Sequence, residues 1–276
     1  GNPARVALGV NATDEAVEKL THSMGLDRPL LVQYLEWMKG LLTGNFGISL
    51  SSQQDITPLV IDRAQVTLLL IGLAIVLALA GAIPMGILLA RFRLPVLNAA
   101  TQLGIAVPSF LVGILLVAVF SVHLGWLPAN GWQLPREGLS HLVLPVISLA
   151  LVQGAMLTRY VRATLREEMD KDYIRTARSL GESRTGALVR HGLRNAALPV
   201  LTVTGVQLST LVVGAVVIEN VFVIPGLGSL LLDAVSTRDL TTVQTLIMVF
   251  VTFTLTVNLL TDLAYRVIDP RLKEAR

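Results

Sequence analysis

Five stretches of this chain contain no Asp, Glu, Lys or Arg: residues 64–90, 94–122, 138–158, 195–218 and 240–261. A helix needs about 20 mostly apolar residues to cross the hydrocarbon core of a bilayer. Each run meets that length, and none is long enough for two spans and a turn. Lipid offers the backbone no hydrogen-bonding partner, so the runs are expected to be helices. They are apolar on every side, without the alternation of a β-barrel strand. The second run belongs to a longer uncharged tract that continues to Pro135. Its span is expected to end near Val122, where Gly, Pro and Asn become dense and Trp126 and Trp132 suit an interface. Composition agrees: 53% of the 276 residues are hydrophobic and 15% are charged, against about 25% charged in soluble domains. The fold class read from the sequence is an all-α polytopic membrane protein with five spans.

The basic residues orient it. Fifteen of the 22 Lys and Arg fall on one side of the five spans: Arg91 and Arg93, nine between Arg159 and Arg194, then Arg266, Arg271, Lys273 and Arg276. The other side has five in residues 1–63, plus Arg136 and Arg238. The richer side is expected to be cytoplasmic. That places residues 1–63 outside, the spans and their loops in 64–268, and a tail, 269–276, inside. The opening GNPARVALGV carries neither an initiator Met nor the basic and apolar regions of a signal peptide. An earlier span is therefore expected, giving six. Within 1–63, TDEAVEKLTHSMG reads as a short helix capped by Thr13, with acids in its first turn and a stop at Gly25. RPLLVQYLEWMKGLLTG reads as an amphipathic helix that lies either on the bilayer surface or on the protein's own outer face.

Several chemistries find no support. There is no cysteine, and no GxxxxGK[ST] phosphate loop. PGLGSL at 225–230 contains a GxG without the strand and helix that a dinucleotide site requires. His22, His123, His141 and His191 are scattered, so no metal is expected. The central turns of the spans carry no ionisable residue, whereas ion-coupled transporters usually place some there. The polar residues near midplane are Ser109, Gln153, Gln207, Thr210, Thr252 and Thr254. They either bond neighbouring helices or line a passage for a hydrogen-bonding solute. Glu219 stands at the outer end of one span and Asp262 at the basic end of the last.

The connector between the third and fourth runs is too patterned for a solvated linker. Residues 159–199 hold nine basic and five acidic residues. REEMDKDYIRTARSLG is helix-forming and ends at Gly181, a natural helix stop. ESRTGALVRHGLRNAALP follows as a second short helix, before Pro199 opens the next span. A helical hairpin of this kind suits a docking surface. The plainer alternative is a helical extension resting on anionic headgroups.

This stretch resembles the cytoplasmic coupling loop, the EAA motif, of the membrane subunits of ABC importers. Ala177 and Gly181 match the motif; Arg175 stands in place of its Glu and Thr176 in place of its first Ala. Those departures, and the longer distance from Gly181 to Pro199, are similar to the dipeptide, oligopeptide and nickel permeases. Residues 1–50, IENVFVIPGLGSLLLDAVSTRDLTTVQ at 218–244 and VNLLTDLAYRVIDPRLK near the end also resemble that subgroup, in the same order. The order of elements favours the first of two paired permeases.

The resemblance implies a type I importer transmembrane domain in the inner membrane of a prokaryote. It implies a non-catalytic subunit that moves di- or oligopeptides, or a nickel chelate, glutathione or haem. It implies four partners: a homologous second permease, two ABC ATPase subunits or one fused chain that bind ATP and Mg, an extracytoplasmic solute-binding protein, and the lipid bilayer. Nucleic acid is not among them, and no cofactor is expected on this chain. The loop 166–198 would couple to the ATPase through Arg175, Thr176, Ala177, Arg178, Gly181, Glu182, Arg184, Arg190 and Pro199. Gln153, Gln207 and Thr210 would face the passage, with Glu219 and Asn220 at its outer mouth. A self-sufficient channel or secondary transporter fits less well, because midplane charges are absent. A membrane anchor that moves nothing is the third reading.

Overall fold

The computed structural model describes residues 3–9, 12–132 and 138–268. Arg136, Arg271, Lys273, Arg276 and the tail expected at 269–276 lie outside the described residues. Among those described, the chain is helical, with one isolated antiparallel bridge between Ile48 and Asp55. Among the described residues four helices are long and apolar enough to cross a membrane, five if a bent pair is counted as one broken span. The chain divides into two compact units, residues 1–68 with 225–252, and residues 69–224 with 253–276. The N-terminal segment is thus not a unit alone; the stretch from Pro225 packs with it.

In the first unit, α1 (Pro3–Leu8), α2 (Asp14–Ser23) and α3 (Leu30–Leu42) precede the start of α4 (Thr57–Arg91). Thr13 caps α2 as expected: its hydroxyl accepts from the Ala16 N–H at 3.3 Å. Gly25, at φ +64°, lies just beyond the helix end. Helix α3 has no buried residue, and Leu30, Leu31, Tyr34 and Leu35 are exposed. Ile56 and Val60 of this unit pack with Leu227, Leu230 and Leu246. The last three sit on α11 (Leu227–Ser236) and the first turns of α12 (Leu240–Ile268). Polar ties reinforce this core. The Thr67 hydroxyl accepts from the Leu227 N–H at 2.8 Å, capping α11 from α4. The Thr245 hydroxyl donates to the Phe46 carbonyl at 3.1 Å.

The chief tie is Asp239, 4% exposed at the N-cap of α12. Its carboxylate accepts from the Thr242 hydroxyl at 2.7 Å and the Thr242 N–H at 3.3 Å. It also accepts from the Leu50 N–H at 3.0 Å and from the hydroxyls of Ser49 and Ser51. Burial pushes this carboxyl upward, but the bonds from Ser49, Thr242 and Leu50 together outweigh burial and hold it below the usual carboxylate range.

In the second unit, α5 (Pro95–Ala106), α6 (Ser109–Leu116) and α7 (Gly138–Met169) follow α4, and α6 runs on into a π turn at Val117–His123. Helix α10 (Leu193–Val221) packs along α7, and α5 and α6 also pack on α7. Small residues permit the close crossings. A Cβ on Gly86 would sit 2.4 Å from Val161 Cγ1, and one on Gly205 would sit 2.3 Å from Thr261 Oγ1.

Three sequence expectations are corrected here. The run 94–122 is not one straight span: α5 and α6 meet at 105°. Val107 is extended (φ −88°, ψ 123°) before Pro108, which disfavours the α conformation at its predecessor and donates no N–H. Pro199 does not open a span either. It lies inside one apolar helical stretch from Arg184 to Val221, which includes α9 (Arg184–Ala187) and a π turn at Leu188–Gly192. The helix expected over 166–181 is two: α7 runs to Met169, the chain turns at Asp170 and Lys171, and α8 covers Asp172–Ser179. Glu168 and Asp172, like charges four apart, disfavour one continuous helix. The turn lets Ile174 bury, at 1% exposure.

Candidate functional site

The loop 166–198 is rigidly footed. Leu188 and Ala196 are buried with Ala90 of α4 and Val161 and Leu165 of α7. Arg91 of α4 donates to the Thr185 hydroxyl at 3.2 Å, and the loop's other polar bonds include several local ones. Tyr173 donates its hydroxyl to Glu168, and burial followed by that bond pushes the phenol above its ordinary value. Lys171 lies 3.7 Å from Glu167 and 3.6 Å from Glu168. Helix α8 ends before Gly181, whose φ of +94° is cheap for glycine alone. Ser183 then caps α9, accepting from the Gly186 N–H at 3.0 Å.

Glu182 folds back across the break. One carboxylate oxygen meets Arg190 at 3.3 Å and the other meets His191 Nε2 at 3.4 Å. That second oxygen is buried and accepts no hydrogen bond. It borders a hollow of about 300 Å³ lined by Tyr173, Thr176, Ala177, Leu180, Glu182 and His191. The structure thus brings Thr176, Ala177 and Glu182 together around one hollow, with Arg190 on its ion pair. Arg175, Arg178 and Arg184 are exposed, Arg175 pairing locally with Asp172 at 3.4 Å. Pro199 is exposed a full two turns farther along the helical stretch. Sequence reasoning missed Tyr173, Leu180 and His191. Leu180 is 82% exposed at the tip of the loop. An apolar residue directly before a helix-stopping glycine in a charged loop was the available signal.

The proposed passage residues divide. Gln207 is 6% exposed, and its amide oxygen accepts from the Thr210 hydroxyl at 3.1 Å, so the two do share a helix face. Glu219 is fully buried, at 0% exposure. Thr210 and Asn220 are exposed and Gln153 is half-buried. In this conformation Gln207 serves the packing of its own chain, while Gln153, Thr210 and Asn220 present surface.

Comparison with known proteins covers the whole chain. Residues 82–274 match the family described as binding-protein-dependent transport system inner membrane component, and residues 1–71 match its N-terminal companion. A probable peptide ABC transporter permease of Sinorhizobium fredii is 34% identical over 99% of this chain and 90% of its own. A putative peptide transport system permease of Brucella suis is 40% identical over 99% and 89%. The glutathione transport system permease GsiC of Escherichia coli is 37% identical over the same shares. Among solved structures, the inward-facing MetNI methionine ABC transporter superposes with a TM-score of 0.66 at 17% identity, covering 78% of this chain and 98% of that one. An amino acid ABC transporter with histidines gives 0.60 at 19%, covering 76% and 94%.

Proposed function

Because the chain belongs to the binding-protein-dependent transport system inner membrane components, we propose that it is the permease subunit of an ATP-driven importer of di- or oligopeptides. The observation that carries this reading is the 34–40% identity, over nearly the full chain, to permeases named for peptide transport. In this reading the chain forms half of the passage beside a homologous second permease. It hydrolyses nothing; ATP and Mg belong to partner ATPases that seat against the 166–198 loop. The rigid footing of that loop supports the reading, since a lever must be stiff to move the helices that carry it. The basic-residue asymmetry supports an orientation with the loop and the C-terminus in the cytoplasm and residues 1–63 outside, toward a solute-binding protein.

Glutathione, itself a tripeptide, is the second reading, favoured by the 37% identity to a glutathione permease. The test is uptake by the whole complex, reconstituted with its second permease, ATPases and binding protein, against a panel of dipeptides, longer peptides and glutathione. ATP-dependent accumulation of a peptide is expected. Accumulation of none of them would reject both readings.

A further inference from the structure

A cavity of about 880 Å³ lies within the second unit, between α4, α5, α6 and α7. Its walls include Leu77, Gly81 and Met85 of α4, Leu116 and Phe120 beyond them, and Leu151 of α7. Thr101 and Thr158 are the polar side chains of the lining, and both have used their one donor. Thr101 donates to the Asn98 carbonyl at 2.9 Å and Thr158 to the Gly154 carbonyl at 2.6 Å. Such walls offer a peptide's carbonyls no free side-chain donor, and their burial without partners is costly. The cavity therefore suits an apolar chain and not the transported solute. Its volume falls within the range of about 300–1,000 Å³ typical of ligand sites.

Beyond the Thr158 end of the cavity, α7 turns basic. The lining positions of α7 run Leu151, Gly154, Ala155, Thr158. The same helical stripe, four residues per step, continues from Thr158 to Arg162 and Arg166. Arg162 reaches across to the side-chain oxygen of Asn98, the neighbour of the lining residue Leu97. Arg166 contacts the Leu89 carbonyl at 3.5 Å. Arg159 precedes Arg162 by three residues on α7, Arg91 is the last residue of α4, and Arg93 follows it. Among the described residues, none of these five arginines takes part in an ion pair. A stripe that is apolar for two turns and then cationic complements a molecule with an apolar chain and an anionic head. Basic pockets between spanning helices bind such headgroups.

We propose that this cavity holds an acyl chain of an anionic phospholipid, with Arg162 and Arg166 binding its phosphate. Arg162 exchanges the neutral Asn98 oxygen for a charged one, the stronger acceptor. Gly81 decides how the site can be tested. A Cβ there meets nothing within 4 Å, so a larger side chain projects into open space.

The experiment uses the full chain in its complex, placed in nanodiscs of phosphatidylglycerol and phosphatidylcholine, then extracted and weighed by native mass spectrometry. Phosphatidylglycerol is expected to be retained preferentially on the complex. Arg162→Gln with Arg166→Gln should cut that retention by about tenfold or more while the subunits stay assembled. Gly81→Leu, with Ala100→Phe as a second cavity filler, should lower retention of both lipids. Equal retention of the two lipids by the unaltered complex overturns the proposal. So does retention unchanged in the arginine variant. A photoreactive residue at Met85 should capture lipid; capture of the second permease instead would show that protein fills the cavity. None of these readouts depends on which solute is transported.

Discussion

Asp239 makes a stringent test of how the outer elements are held. The carboxylate gathers donors from Ser49, Leu50, Ser51 and Thr242, joining residues about 190 apart in sequence. Asp239→Ala removes the N-cap of α12, a loss of about 0.5–2 kcal/mol. It also strands the buried Leu50 N–H, at about 1–3 kcal/mol, whereas Ser49 keeps the Ser51 hydroxyl at 3.1 Å. The sum is about 1.5–5 kcal/mol, reaching the upper end of what single substitutions do. Asp239→Asn keeps the shape but turns an NH₂ toward donors, and should cost about half as much. Hydrogen exchange of residues 46–56, read by mass spectrometry on the purified complex, is the assay. Both variants should lose protection there, Ala more than Asn. The pH dependence has a defined sign. The carboxyl is held below its ordinary 3.8, so its contribution is fully present above about pH 4 and is lost as pH falls through the folded value. Protection of 46–56 that is unchanged in Asp239→Ala, or that collapses between pH 5 and 6 in the unaltered protein, would refute the reasoning.

Gly181→Val imposes a β-branched side chain on φ +94°, at a local cost of about 1–3 kcal/mol. It should uncouple ATPase stimulation in the assembled complex, whereas a loop merely resting on headgroups would suffer more from Arg178→Ala and Arg184→Ala. Gly86→Ala drives a methyl against Val161 and should lower the thermal midpoint, with about 1–3 kcal/mol lost to overpacking. Val161→Ala in the same chain should recover part of the loss, and a strictly additive double mutant would disprove the contact. Gln207→Leu removes one hydrogen bond to Thr210 within α10, a net loss of about 0.5–1.5 kcal/mol, and should leave the complex assembled. If uptake also survives that change and Gln153→Leu, neither glutamine serves the passage.

Local signals explain what was legible without coordinates. The Thr13 cap and the turn at Gly25 each depend on one or two residues and their immediate neighbours, and both stand where the chain announces them. Gly181 ends its helix for the same reason. The bend at Val107–Pro108 was also written locally, but counting charges registers composition and not a missing N–H. Pro199 misled in the opposite direction. Proline marks a boundary in water, but a helix in apolar surroundings keeps running past it because unfolding the backbone there would strand more polar groups.

By itself, then, the sequence determined that this chain is a bundle of membrane-spanning helices with a structured basic loop between the third and fourth apolar runs. Those properties follow from the absence of charge over span-length runs and from its concentration between them. The tertiary structure alone decided the rest: that Asp239 finds Ser49 and Leu50, that Gln207 turns into its own chain, that Glu182 closes back on Arg190 and His191, and that an apolar stripe on α7 ends beneath two arginines beside a cavity. Each depends on which helix faces meet. Hydrophobicity that is uniform around a helix carries no directional information, so facing is set by glycine crossings and a few buried polar partners distant in sequence.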